Sequence, residues 1–335
     1  MSKPRTAVGN LARAICVKFP DAGSLTLAKM LRKQNPECFH TVEAARQAVR
    51  YFRCALGKKN RAIILAAGTQ VPRLQLPEAE PTQYEVIEID DSIKRWLIIG
   101  DTHVPFQDNT TLTLASAYAY RQNCDGLLIL GDFLDCYMLS RWIKDPRVRR
   151  FAAELANAAA ILEELITKNK FKTCIWKHGN HELRLEKYLA QHAPDIFELP
   201  CMSDLKAMLF ATGKIRQETL DKITIYPTPK MLRHHKLYIL HGHELGSGIS
   251  SPVNPARGAY LKAKECCIVA HQHQPSEHTD PTIGNRIVTT WSIGCTCKIH
   301  PDYKLVNRWG HGFAVLESGS EWEIRNKRIV NGTVK

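Results

Sequence analysis

The chain has 335 residues, with 46 Lys and Arg against 33 Asp and Glu, for a formal net charge of +13. That length allows one large globular domain with a small attachment. No apolar run approaches the ~18 residues of a membrane helix, and the basic start lacks a secretory apolar stretch, so the sequence reads as a cytoplasmic protein with no membrane partner. Eleven scattered cysteines without a C-x-x-C pair argue against a disulfide framework or zinc ribbon. Cys295 and Cys297 form a C-x-C and read as buried thiols, because no second pair completes a tetrahedral site.

The charge is uneven. Residues 1–61 hold thirteen Lys and Arg against Asp21, Glu37 and Glu43. A basic appendage on a near-neutral body suits a polyanionic partner such as nucleic acid. Three short helices are predicted in it. Asn10 to Val17 is the first. The second starts at Ser24 as N-cap, with Leu25, Ala28 and Leu31 on one face. The third runs from Thr41 to Gly57, with Val42, Ala45, Val49 and Phe52 as its apolar stripe. Arg46, Arg50 and Arg53 recur at helical spacing on another face, as a nucleic-acid-binding helix would place them. A solvated basic face on a docking bundle is the plainer reading. Residues 1–58 are thus expected to form a basic helix-turn-helix-like domain. Residues 59–92, rich in proline and acid, read as a linker.

From residue 93 to about 330 the pattern changes to β-prone runs that end abruptly in polar residues. They are "RWLIIGDTH", "GLLILGDFLD", "FKTCIWKHGNHE", "HKLYILHGHE" and "ECCIVAHQHQ". A helix is predicted from about Pro146 to Asn169, with others at "ELRLEKYLAQH" and "DLKAMLFATG". The alternation predicts an α/β body. The strand-rich tail, "RIVTTWSIG", "GFAVLES" and "EWEIRNKRIV", predicts a second sheet.

Functional loops of an open α/β sheet lie beyond the carboxyl ends of its strands. Five strand ends here carry Asp101 and His103, Asp132 and Asp135, Asn180 and His181, His241 and His243, and His271 and His273. Any one pair has a bland explanation as turn residues. Five in succession do not. Carboxylates, imidazoles and one carboxamide suit hard to borderline divalent cations, and there are too many ligands for one.

In order, "GDTH", "GDFLD", "GNHE", "HGH" and "AHQH" resemble the motifs of the calcineurin-like metallophosphoesterases, in their phage and bacterial form. The resemblance implies an α/β/β/α sandwich of two mixed sheets flanked by helices. It implies that Asp101, His103, Asp132 and His273 hold one metal, and that Asp132 bridges to a second held by Asn180, His241 and His271. His181 would then act as general acid, oriented by Asp135, and a metal-bridged hydroxide would attack the phosphate ester. Mn²⁺ is the expected metal, with Fe, Zn or Ni as substitutes. Two positions depart from the family pattern. Ala270 stands where glycine is usual, which costs nothing unless its φ is positive. Cys136 stands where the Ser/Thr phosphatases carry a phosphate-binding arginine; Arg141 or Arg184 could replace that cation, although a solvated surface arginine is the favoured reading of either. The expected activity is a phosphodiesterase or nuclease acting on nucleic acid or nucleotides. The alternatives are a phosphomonoesterase or protein phosphatase of the same fold, and a nucleic-acid-binding regulator. His178 and His243 have no assigned role.

Overall fold

The computed structural model describes residues 7–53, 76–82, 84–141, 143–145, 150–246, 253–301 and 304–335. It divides into two units, Met1–Glu80 and Pro81–Lys335.

In the first unit, helices α1 (Ala7–Lys18), α2 (Ser24–Gln34) and α3 (Val42–Phe52) pack around Ala12, Ile15, Leu27, Leu31, Ala45, Val49 and Phe52. The Thr41 hydroxyl caps α3 by accepting the Ala44 N–H. Gly23, not Ser24, occupies the N-cap of α2. The expected end of the third helix at Gly57 lies outside the described residues. Arg46 is half-buried beside Glu43, and Arg50 is exposed. Arg53 sits at the C-cap, and its guanidinium donates to the carbonyls of Phe19 (3.0 Å) and Pro20 (2.6 Å). Those carbonyls follow α1, so Arg53 fastens α1 to α3 instead of facing solvent as a free cation.

The second unit begins inside the segment expected to be linker. Strand β1 (Glu85–Glu88) pairs in parallel with β6 (Lys230–His234). Glu85 and Glu88 meet Lys230 and Arg233, and Ile89 and Ile93 are buried. The acids of this stretch are therefore one half of cross-strand ion pairs whose other half lies 145 residues away.

Two mixed sheets form the body. The first holds β2 (Arg95–Ile99), β3 (Gly126–Ile129), β4 (Thr173–Lys177) and β5 (Ile223–Tyr226) in parallel. The antiparallel strands β11 (His311–Glu317), β12 (Glu323–Val330) and β13 (Thr333–Val334) extend it beyond β2. The second sheet runs in the order β1, β6, β7 (Leu237–Ile239), β8 (Cys267–Val269), β10 (Ile287–Ser292) and β9 (Ser276–Pro281). The strand-rich tail is therefore divided, with β10 in the second sheet and β11 to β13 completing the first. The pleat explains the layering, since alternate side chains of one strand face opposite sides. Trp96 and Ile98 of β2 face the second sheet and join Leu232, Ile239, Ile268 and Trp291 in the inter-sheet core. Leu97 and Ile99 face α4 (Asn109–Arg121) and α5 (Phe151–Lys168), where they join Leu112, Ala159 and Leu162. On the far side, Ala259 of α6 (Pro255–Ala263) covers Cys267 and Val269.

Buried polar groups of both units make testable demands on stability. Arg53→Ala should destabilise the first unit by about 1–3 kcal/mol through its two carbonyl bonds, while Arg50→Ala should stay within about 0.5 kcal/mol; amide exchange in α1 to α3 reads the difference. On α5, Glu154 accepts the Cys136 N–H at 2.6 Å, and burial pushes its carboxyl up to about 8. The folded state therefore holds this proton more tightly than the unfolded state. The stability it contributes is present below about pH 4.5 and is lost as pH rises towards 8. Glu154→Gln should raise the melting temperature more at pH 8 than at pH 5, and an equal effect at both would contradict the shifted carboxyl.

Candidate metal centre

The five motif loops converge at the carboxyl edges of both sheets. "GDTH", "GDFLD" and "GNHE" follow β2, β3 and β4 of the first sheet, whereas "HGH" and "AHQH" follow β7 and β8 of the second. Asp101, His103, Asp132, His271 and His273 all adopt left-handed backbone, with φ between 48° and 65°. That conformation is costly for residues with a Cβ, and it clusters where structure over-determines it for function.

Hydrogen bonds hold these turns. The His103 N–H donates to the Asp132 carbonyl at 2.9 Å, and the Asp101 N–H to Gly131 at 3.1 Å. The His271 N–H reaches across the sheets to Asp101 Oδ2 at 2.8 Å. His241 Nδ1 bonds the Leu130 carbonyl, which turns its Nε2 towards Asp132 Oδ2 at 3.2 Å and Asn180 Oδ1 at 3.2 Å. Glu182 is fully enclosed. Its Oε1 accepts the N–H groups of Phe133 and Leu134, and its Oε2 those of Asp132 and Gly179, at 2.8–3.1 Å. Gly179 is required for proximity, because a Cβ there would stand 2.2 Å from Asp132 Oδ1. Gly131 combines a φ of +83° with the same crowding against Gly179. Ala270 is not left-handed, and its Cβ fits against Gly100, so the departure from glycine carries no strain.

All seven expected ligand residues meet here. Asp132 belongs to two overlapping groups, one with His103 and His181, the other with His241 and His271. His103 Nε2 and His273 Nε2 face each other at 3.3 Å, and Asp101 Oδ1, buried 3.3 Å from His273 Nε2, makes no hydrogen bond of good geometry among the described residues. Against burial, Asp132 pulls His241 up to about 10, and Asp101 does the same to His273. Opposed ring nitrogens, a weakly satisfied carboxylate oxygen and a field that demands positive charge fit divalent cations.

Asp135 serves two histidines. Its carboxylate accepts from His103 Nδ1 at 3.1 Å, and its backbone carbonyl accepts from His181 Nδ1 at 2.8 Å. Although burial opposes it, these contacts hold the Asp135 carboxyl below its ordinary range. Arg184, half-buried, donates to the same carbonyl at 2.7 Å and to His181 Nε2 at 2.9 Å. Of the two arginines considered from sequence, Arg184 therefore reaches the site. Cys136 is buried and left-handed, with Phe151, Leu185 and Leu205 around it.

Several supporting residues carry no sequence signal of their role. Glu182 is visible in "GNHE" but its loop-bridging is not. Glu244 accepts the Gly242 N–H at 2.7 Å and pairs with the buried Lys177 at 3.1 Å. Trp309 lies over His273 with ring centroids 4.0 Å apart. Cys297 Sγ is 3.7 Å from His273 Nδ1, the nitrogen turned away from Asp101, so it backs the ring. Burial pushes His178 and His243 down to about 4, and among the described residues their ring nitrogens make no hydrogen bond, His243 Nδ1 lying 3.4 Å from Glu244 Oε2. His178 faces the small cavity beside Cys136, not Asp132.

Residues 94–308, nearly two thirds of the chain, match the family described as calcineurin-like phosphoesterase. The Gene 54 protein of Mycobacterium phage L5 is 26% identical over 237 residues, spanning 67% of this chain and 88% of that protein. Among solved structures, the zinc complex of Vps29 from Entamoeba histolytica matches at 14% identity and a TM-score of 0.34, over 72% of this chain and 96% of its own. A dimetal phosphatase of Danio rerio matches at 9% and 0.35, over 70% and 96%. The phosphoesterase Yfce of E. coli matches at 12% and 0.29, over 66% and 87%. With the family match covering every motif of the site, the chain belongs to the calcineurin-like phosphoesterases, metal-dependent phosphoric ester hydrolases with a binuclear centre.

Proposed function

We propose that the protein is a phosphodiesterase or nuclease acting on nucleic acid, with Asp101, His103, Asp132 and His273 holding one cation and Asp132, Asn180, His241 and His271 the other. The observation that carries the reading is Asp132, shared by both ligand groups and placed beside His181. Mn²⁺ is the metal we expect, since mixed oxygen and nitrogen ligands discriminate weakly among first-row ions. When bound, two such ions supply positive charge to a phosphoryl group and lower the pKa of water.

His181 supplies the proton. Its Nδ1 is committed to the Asp135 carbonyl, so Nε2 is the working atom. In this structure Arg184 donates to Nε2, which makes that nitrogen an acceptor. A phosphoryl oxygen is a stronger partner for a guanidinium than an imidazole is. Substrate would draw Arg184 onto itself and free Nε2 to carry a proton to the leaving oxygen. Against burial, Asp132 and Asp135 raise His181 above its ordinary value, which favours that protonated form.

The basic first unit supports the polyanionic substrate. Lys29, Arg32 and Lys33 line one shallow concavity, and Arg13 and Lys18 line another. With Arg53 occupied, Arg46 and Arg50 are the α3 cations left for phosphates.

His181→Ala should keep both metals and lower turnover roughly 10²–10⁴-fold, less with p-nitrophenyl esters, whose leaving group needs little protonation. Asp132→Asn should lose metal by elemental analysis. Equal metal loss in both variants would make His181 a ligand. Arg184→Ala should chiefly raise KM, and Arg184→Lys should recover only part of it.

Removing residues 1–58 should leave turnover of bis-p-nitrophenyl phosphate nearly unchanged while DNA or RNA binding falls. For every phosphate no longer neutralised, the log–log salt slope should become shallower by about 0.9 on duplex DNA. Arg46→Ala with Arg50→Ala should reproduce part of that change. Unchanged nucleic-acid binding with an altered oligomeric state would instead favour a docking role and a phosphomonoesterase or protein phosphatase.

A further inference from the structure

A second cluster of metal-type side chains lies away from the candidate metal centre. His234 ends β6, His235 makes the turn into β7, and Asp91 follows the edge strand β1. The turn stands at the opposite end of β7 from His241. Asp91 Oδ1 is 3.3 Å from His234 Nδ1, and Asp91 Oδ2 is 3.2 Å from His235 Nε2. The three residues can each offer one ligand atom within 4.8 Å of the others.

Three features separate this arrangement from an ordinary surface ion pair. The His234 side chain is 1% exposed, and among the described residues neither ring nitrogen makes a hydrogen bond of good geometry, the Asp91 carboxylate being the partner of Nδ1 at 3.3 Å. A buried polar ring so weakly satisfied is costly. The spacings also fit: two donors bound at about 2.0–2.2 Å to a tetrahedral ion stand roughly 3.3–3.5 Å apart. Finally, His235 adopts left-handed backbone, φ 52°, which sets its ring beside that of His234, with centroids 4.6 Å apart. Burial keeps His234 below its ordinary value, so its lone pair is free for a cation.

We propose that Asp91, His234 and His235 form a structural site for a divalent transition cation, with zinc the best match to two imidazoles and one carboxylate. The ion would staple the end of β1 to the β6–β7 turn. Among the described residues, β1 is an edge strand of four residues, paired with β6 alone. The Ile89 N–H bond to the Arg233 carbonyl, at 2.9 Å, brings the two chain segments together beside the cluster. The fourth position is left for water.

The test uses the full chain dialysed against micromolar Zn²⁺, followed by elemental analysis. Asp91 and His235 are exposed, so Asp91→Ala and His235→Ala should not disturb the core. Each should bind one equivalent of zinc fewer than the unsubstituted chain and hydrolyse bis-p-nitrophenyl phosphate at the same rate. With Co²⁺ in place of zinc, each should lose a tetrahedral visible absorption that the unsubstituted chain shows. Unchanged stoichiometry in both variants would overturn the proposal and leave Asp91 as a plain ion-pair partner of the two histidines. Because Asp132→Asn acts on the other centre, its failure to lose metal would count against the proposed binuclear ligands and not against this site.

Discussion

The buried carboxylate of Glu182 is the constraint on which the site's geometry depends. Four backbone N–H groups donate to it, three from the "GDFLD" loop and one from Gly179. Burial and the nearby Asp132 carboxylate push the Glu182 carboxyl up, and the N–H groups of Leu134 and Gly179 pull it back. One side chain thereby locks two loops that follow different strands. Asp132 is held against Gly179, so closely that the His181 N–H donates to its Oδ1 at 2.8 Å. The aspartate's position between two ligand groups and the imidazole's position beside it are thus consequences of one hydrogen-bonded junction. Without that junction, left-handed turns at Asp101, His103 and Asp132 would each cost about 1–3 kcal/mol with little to hold them.

A second constraint is the approach of the two sheets. Gly100 of the first and Ala270 of the second face each other where even a Cβ on Gly100 would come to 2.8 Å. Across that gap run the His271 N–H bond to Asp101 and the His241 ring bond to Leu130. Neither sheet carries all seven candidate ligand residues by itself. A binuclear centre would cross-link them, so metal binding and inter-sheet packing are coupled through the same residues. Departures from ideal local structure are concentrated here, as expected where function competes with stability.

Much of this is legible in the sequence because the motif residues sit at strand ends, where periodicity breaks sharply from apolar to polar. The α/β class, the convergence of the candidate ligand residues and the helix start near Thr41 follow from such local signals. What stays hidden depends on partners far along the chain. Strand β1 resembles linker because its acids pair with Lys230 and Arg233. The tail strands resemble one sheet because alternation in β10 and β11 does not reveal which neighbour each will choose. Arg53 resembles a surface cation because nothing local shows that the chain leaving α1 returns to its guanidinium. Nothing local to Gly179 shows that its need is proximity to Asp132.

The departure at Cys136 has a physical reason of the same kind. Its left-handed backbone is held by Glu154, and the small cavity it lines also holds Phe151, Leu185, Leu205 and Glu182. An arginine there would bury a guanidinium beside Glu154 and Glu182, with Glu154 drawn away from neutrality to meet it. On the proposed reading the cation comes instead from Arg184, one helical turn beyond His181. The change alters more than the charge's origin. A guanidinium that rests on the imidazole ties phosphate binding to proton availability, since the group that touches the substrate is the one that otherwise occupies Nε2. The placement of Arg184 therefore bears on the timing of the proton, while the metal ligands bear on where the phosphoryl group sits.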